Sequence, residues 1–210
     1  MSSFNRHAIV AVAFTVSVLL LLAAHRGVSP PSQASNDSNA LSANPGKPRY
    51  IFVDLGANRA DSLEVFLKHP AKFEYDFPRP SWATHEEAEI FLFEANPVFN
   101  GDLVRAKEKS GAKGTDLTAV NIATWLLRNT LPHDFVVVKM DIEGAEYEVI
   151  PHMADMGAWV VMDHLLVEWH GANVGGGTPE EIELRQVRAK AAMDKLIKEG
   201  VNMPAYDSGA

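Results

Sequence analysis

Residues 134–148 read Asp-Phe-Val-Val-Val-Lys-Met-Asp-Ile-Glu-Gly-Ala-Glu-Tyr-Glu, an apolar run that passes straight into acids around one glycine. Val136, Val137 and Val138 are β-branched in succession, the mark of a strand buried on both faces. Such a strand needs neighbours beside it and helices above and below, which points the chain to an α/β architecture. Asp141, Glu143 and Glu146 crowd its carboxyl end, and in open α/β sheets ligands bind at that edge.

The pattern recurs along the chain. Tyr50-Ile-Phe-Val-Asp54 leads into Leu55-Gly56-Ala57-Asn58, and Leu63, Phe66 and Leu67 then fall on helical spacing within 61–68. Residues 88–94 form a second apolar run ending in Glu94, with Asn96-Pro97 as a breaker before a helix expected over 99–109. A helix over 122–128 precedes the 135–140 strand, and helix 146–156, strand 164–169 and a long helix 179–199 opened by Thr178-Pro179 follow. The segment 70–84 carries Pro70, Pro78 and Pro80 among Phe73, Tyr75, Phe77 and Trp82, which suits a loop packed by its aromatics at a pocket. Alternating strands and helices predict a doubly wound, mostly parallel sheet with helices on both faces. One acid ending a strand is most often a cap or turn former, but Asp54, Glu94, Asp141 and Glu168 with His170 end four, which favours a binding crevice.

The N-terminus is of another kind. From Ala8 to Ala24 every residue except Thr15 and Ser17 is Ala, Val, Ile, Leu or Phe, flanked by Arg6 and Arg26. That length is short for a spanning helix and long for a signal-peptide core, so a single-pass signal-anchor is expected, with a cleaved signal and secretion as the alternative. Residues 27–48 are rich in Ser, Pro, Asn and Ala and read as a flexible stem, carrying the sequon Asn36-Asp37-Ser38. The domain is then expected over 49–210, in the secretory pathway or Golgi lumen. No cysteine is present to form a disulfide. Beyond residue 26 there are 17 Lys and Arg against 27 Asp and Glu, a formal charge of −10. Nucleic acid is therefore an unfavourable partner.

The turn after the first strand has only Gly56 where a dinucleotide fingerprint needs three glycines, which disfavours a pyrophosphate-bearing cofactor and a nicotinamide enzyme. Glu94 is placed as acids that hold a ribose diol are, accepting from both hydroxyls. The pieces Phe52-Val-Asp-Leu-Gly-Ala-Asn58, Phe93-Glu-Ala-Asn-Pro97, Val138-Lys-Met-Asp-Ile-Glu-Gly-Ala-Glu146 and Val167-Glu-Trp-His170 resemble, in order and spacing, the FkbM-type S-adenosylmethionine-dependent methyltransferases. The resemblance implies a class I, Rossmann-like methyltransferase sheet. It also implies Asp54, Gly56 and Asn58 around the methionine part of S-adenosyl-L-methionine, Glu94 on its ribose, and residues 141–146 beside the transferred methyl. The reaction it implies is O-methylation of a glycan or small-molecule acceptor, with a catalytically inactive binding or scaffold domain as the alternative.

Candidate bases are Asp141, Glu143 and His170, with Lys139 placed to pair with and orient an acid. Asp141 and Glu143 are also oxygen donors suited to a divalent cation, a reading disfavoured for want of a third ligand. Acids at the start of the 146–156 helix equally favour its dipole, an ordinary reason for Glu146. Residues 98–134 leave little room for the strand that follows the second helix in the family, so a sheet shortened in the middle is expected.

Overall fold

The computed structural model describes residues 46–71, 73–96, 99, 102–105, 116–117 and 120–207, together with 11–12. Most of the anchor and stem expectations, like most of the expected 99–109 helix, lie outside the described residues. Ala11–Val12 forms a two-residue strand parallel to Asp116–Leu117. Among the described residues no helix is long and apolar enough to cross a membrane.

Four strands make the main sheet: β1 (Tyr50–Leu55), β2 (Glu89–Phe93), β3 (Phe135–Met140) and β4 (His164–Val167). Their order is β2-β1-β3-β4 and every pairing is parallel. The fold is therefore α/β and Rossmann-like. Order reverses between β1 and β3, where Asp54 lies opposite Lys139 and Leu55 opposite Met140. Beyond β4, Asn202 and Ala205 make further parallel bridges to His164 and Val167.

The two faces follow from strand alternation. Ile51, Val53, Val136, Val138 and Leu165 face a core closed by α2 (Ile122–Asn129), α3 (Glu146–Asp155) and α4 (Pro179–Lys198). Tyr50, Phe52, Val137, Ile90 and Leu92 face the opposite core, against α1 (Asp61–Phe66). Placing α1 on one face and α3 and α4 on the other is what right-handed crossovers demand when the strand order reverses. α2 starts where the Asn121 side chain accepts from the Thr124 amide, and α4 starts in a capping box of Thr178 and Glu181.

The 70–84 segment contributes to the core more than to any crevice. Phe77 is buried and meets Phe52 and Phe66 edge-on at 5.3 and 5.7 Å, whereas Trp82 is exposed. Two 3-10 turns not foreseen in the sequence, His85–Glu87 and Ala158–Val161, lead into β2 and β4.

Candidate active site

The turn after β1 is held against its neighbours. The amides of Gly56 and Ala57 both donate to the carbonyl of Phe93, at 2.9 and 3.0 Å, and so lock the end of β1 to the end of β2. Gly56 has φ +79°, and a Cβ there would stand 1.6 Å from the Asp141 carbonyl oxygen. Glycine is required both by the left-handed backbone and by the close approach to β3. Asn58, with φ 47°, then donates its amide to Glu94 Oε2 at 2.7 Å, while Asn96 donates its own to Oε1 at 2.7 Å. Glu94 thus ties both turns together, and each carboxylate oxygen keeps a lone pair for a further donor.

Asp54 and Lys139 form a buried pair at the reversal point, with exposures of 0% and 1%. Lys139 Nζ is 3.0 Å from Asp54 Oδ1, donates to the Gly56 carbonyl at 3.0 Å and reaches Asp141 Oδ2 at 3.3 Å. The Asp54 contact is a charge pairing without hydrogen-bond alignment. Burial raises the Asp54 pKa, with Lys139 opposing. Burial alone would lower that of Lys139, but Asp54 and Asp141 outweigh it and keep the ammonium charged. The pairing foreseen for Lys139 is present. Asp54, by contrast, lies beneath the Gly56 turn and faces Lys139 with no surface on the crevice.

The loop after β3 carries the remaining acids. Glu143 takes φ 56°, an uncommon conformation for a residue with a side chain, and its carboxylate is 81% exposed. Asp141 and His170 are each about one-fifth exposed. His170 Nδ1 lies 3.0 Å from Glu146 Oε1, and Tyr147 Oη donates to the His170 carbonyl at 2.9 Å. A carboxylate only accepts, so Nδ1 carries the proton and Nε2 is turned toward Asp141 Oδ1 and Glu143 Oε2, at 3.7 and 3.6 Å. Burial disfavours charge on His170, but the Glu146 hydrogen bond and the carboxylates of Glu143 and Asp141 prevail and raise its pKa.

Glu146 is the residue whose part the sequence least disclosed. It is fully buried, accepts the Ile142 amide at 2.9 Å as well as the imidazole, and leaves Oε2 without a partner. The signal was present, because Glu146 shares the inward stripe of α3 with Ile150 and Met153, where a solvated helix-capping acid has no place. Glu168 stands out in the sequence only as one of the acids that end strands, and Tyr206 carries no sequence signal of a role. Tyr206 is buried, meets Tyr75 edge-on at 4.9 Å, and its phenol is pushed up to about 12 by burial.

With this geometry in place, comparison with known families is decisive. The model of the Methyltransferase FkbM domain matches residues 31–192, well over half of the chain. The chain belongs to the FkbM methyltransferase family. No curated protein and no solved structure matches it. The family match begins within the stretch read as stem and ends within α4. Within the matched span, the Gly56 turn, the Glu94 strand end and the loop that starts at Asp141 stand together at one sheet edge.

Proposed function

We propose that the chain is an S-adenosylmethionine-dependent O-methyltransferase acting on a hydroxyl of a glycan or small molecule. The observation that carries the reading is the convergence at the order reversal, where the Gly56 turn is pressed onto Asp141 and Glu94 clasps Asn58. The donor set fits the cofactor: Glu94 suits a ribose diol, and carboxylates facing the crevice suit an ammonium and a sulfonium. S-adenosylmethionine, when bound, supplies a methyl group made electrophilic by its sulfonium. Gly56 and Asn58 would line its methionine part and Glu94 its ribose, while Asp54 acts through Lys139 by holding the turn and Asp141 in place.

The residues of the third and fourth strand ends serve the acceptor. Alignment of a nucleophile with a methyl carbon is worth several kcal/mol when groups on rigid elements fix it, and Asp141 follows directly on β3 while His170 lies just beyond the end of β4. His170 is oriented by Glu146, and Asp141 and Glu143 are the carboxylates placed to take up the hydroxyl proton. The crowd of carboxylates disfavours anionic acceptors such as phosphorylated sugars. We further propose that the apolar run 8–24 holds the enzyme at a membrane of the secretory pathway, by virtue of its length and composition.

The test is transfer of a labelled methyl group from S-adenosylmethionine by the full-length chain to panels of neutral and of phosphorylated hydroxylic acceptors. Label in a base-stable ether on a neutral acceptor is the expected product. A folded chain that binds S-adenosylhomocysteine but labels no acceptor in any panel would favour the silent binding domain instead.

A further inference from the structure

The wall of the crevice formed by β3 and β4 has a gap that its own groups do not close. His170 Nε2 points between Asp141 Oδ1 and Glu143 Oε2 at 3.7 and 3.6 Å, too far for hydrogen bonds. Nδ1 holds one proton, so Nε2 directed at two carboxylates marks a place for a positive centre, filled by a second proton on the imidazole or by a cation bound in its stead. The side chain of Glu168 joins from the same strand end, and one donor atom each from Asp141, Glu168 and His170 lie within 4.8 Å of one another. Ligands on bonds of about 2.1 Å stand roughly 3.0 Å apart at right angles and roughly 4.2 Å apart when opposed, so the 3.7 Å between His170 Nε2 and Asp141 Oδ1 falls inside the range set by one shared cation.

A second observation lies behind the cluster. Glu146 is completely buried, fixes the imidazole tautomer through Nδ1, and keeps Oε2 unpartnered. A buried carboxylate on the far nitrogen is how proteins orient a histidine that ligates through its near nitrogen, and it raises the basicity of that ligand.

We infer that Asp141, Glu168 and His170 form a divalent-cation site, with Glu146 as the carboxylate that orients His170. Two carboxylates and one imidazole favour Mn²⁺ or Zn²⁺ over Ca²⁺, which prefers oxygen alone. The sequence reading lacked a third ligand, and the structure supplies Glu168 and His170 beside Asp141. The role of the ion rests on the methyltransferase reading: a cation there stands where the acceptor hydroxyl arrives and stabilises its ionised form. With Asp141 engaged as a ligand, Glu143 remains the exposed carboxylate for the departing proton.

The experiment titrates Mn²⁺ into the full-length, chelator-stripped chain, reading free Mn²⁺ by electron paramagnetic resonance and heat by calorimetry. One Mn²⁺ per chain is expected, bound more tightly than Ca²⁺. Glu168→Gln, close to the native shape, and His170→Gln should each weaken it about tenfold or more. Failure of the folded chain to bind Mn²⁺ at millimolar concentration, or binding that neither variant weakens, overturns the site. S-adenosylhomocysteine is titrated into the same metal-free sample. If that ligand binds while Mn²⁺ does not, the cation site alone fails. If Mn²⁺ binds at these residues while S-adenosylhomocysteine does not, the site stands and its role in methyl transfer fails.

Discussion

Replacing Lys139 by Met keeps the volume of the side chain and removes its charge from a place with no solvent. The ammonium meets Asp54 Oδ1 and the Gly56 carbonyl at 3.0 Å each, and the two charged residues are 1% and 0% exposed. Breaking a buried pair by removing one partner costs about 3–5 kcal/mol, because the remaining charge is left uncompensated. That is a large share of the roughly 5–15 kcal/mol that holds a domain together, and for a chain of this size it lowers Tm by about 6–20 °C. Adding Asp54→Asn removes the orphaned charge, so the double variant should regain about 1–3 kcal/mol over Lys139→Met. The sign of the pH effect follows from Asp54. In Lys139→Met its folded pKa stands above the unfolded value of about 3.9, so the protonated carboxyl contributes stability below that value and loses it as pH rises through the folded pKa. The cost of the single substitution should therefore shrink as pH falls from 7 toward 4. Urea unfolding followed by tryptophan fluorescence at both pH values measures this. Effects of the two substitutions that add to within about 0.5 kcal/mol, with no dependence on pH, would refute the reasoning.

Other perturbations probe separate links. Gly56→Ala must push a Cβ into the Asp141 carbonyl, so it should destabilise the fold by more than the roughly 1–2 kcal/mol of a left-handed alanine alone; an unfolding midpoint equal to that of the parent would contradict this. At Asp134 burial would raise the carboxyl pKa, but hydrogen bonds from Arg49 and the Leu131 amide outweigh it and lower it. The stability this contributes is full above the unfolded carboxyl value of about 3.9 and is lost as pH falls through the lowered folded one, so Asp134→Asn should be destabilised at pH 7 and approach the parent below pH 4 in acid unfolding curves. Glu94→Ala frees the Asn58 and Asn96 amides and removes the diol acceptor together, and differential scanning fluorimetry should show both a lower Tm and no further rise with S-adenosylhomocysteine.

Local patterns carried much of the fold. β-Branched and aromatic runs located all four strands, because strands buried on both faces are apolar at most positions, and Thr178-Pro179 marked the start of α4. What the sequence hid was non-local. Asp54 had the appearance of a ligand-facing acid until the register of β1 on β3 set it opposite Lys139, 85 residues away, as only the sheet order can do. Glu146 had an ordinary explanation at a helix start, and its burial beside His170 depends on how α3 docks under the end of β4. The parallel bridges of Asn202 and Ala205 to β4 have no sequence signature, since two isolated pairings leave no periodic trace. Among the described residues β2 has no partner in the main sheet beyond β1.

The central claim is that the edge at Gly56, Glu94 and Asp141 binds S-adenosylmethionine. Calorimetric titration of S-adenosylhomocysteine into the full-length chain tests it most directly. One saturable site per chain, weakened at least tenfold by Glu94→Ala, is the predicted result. Absence of binding by a folded chain, or equal affinity in Glu94→Ala, would contradict it.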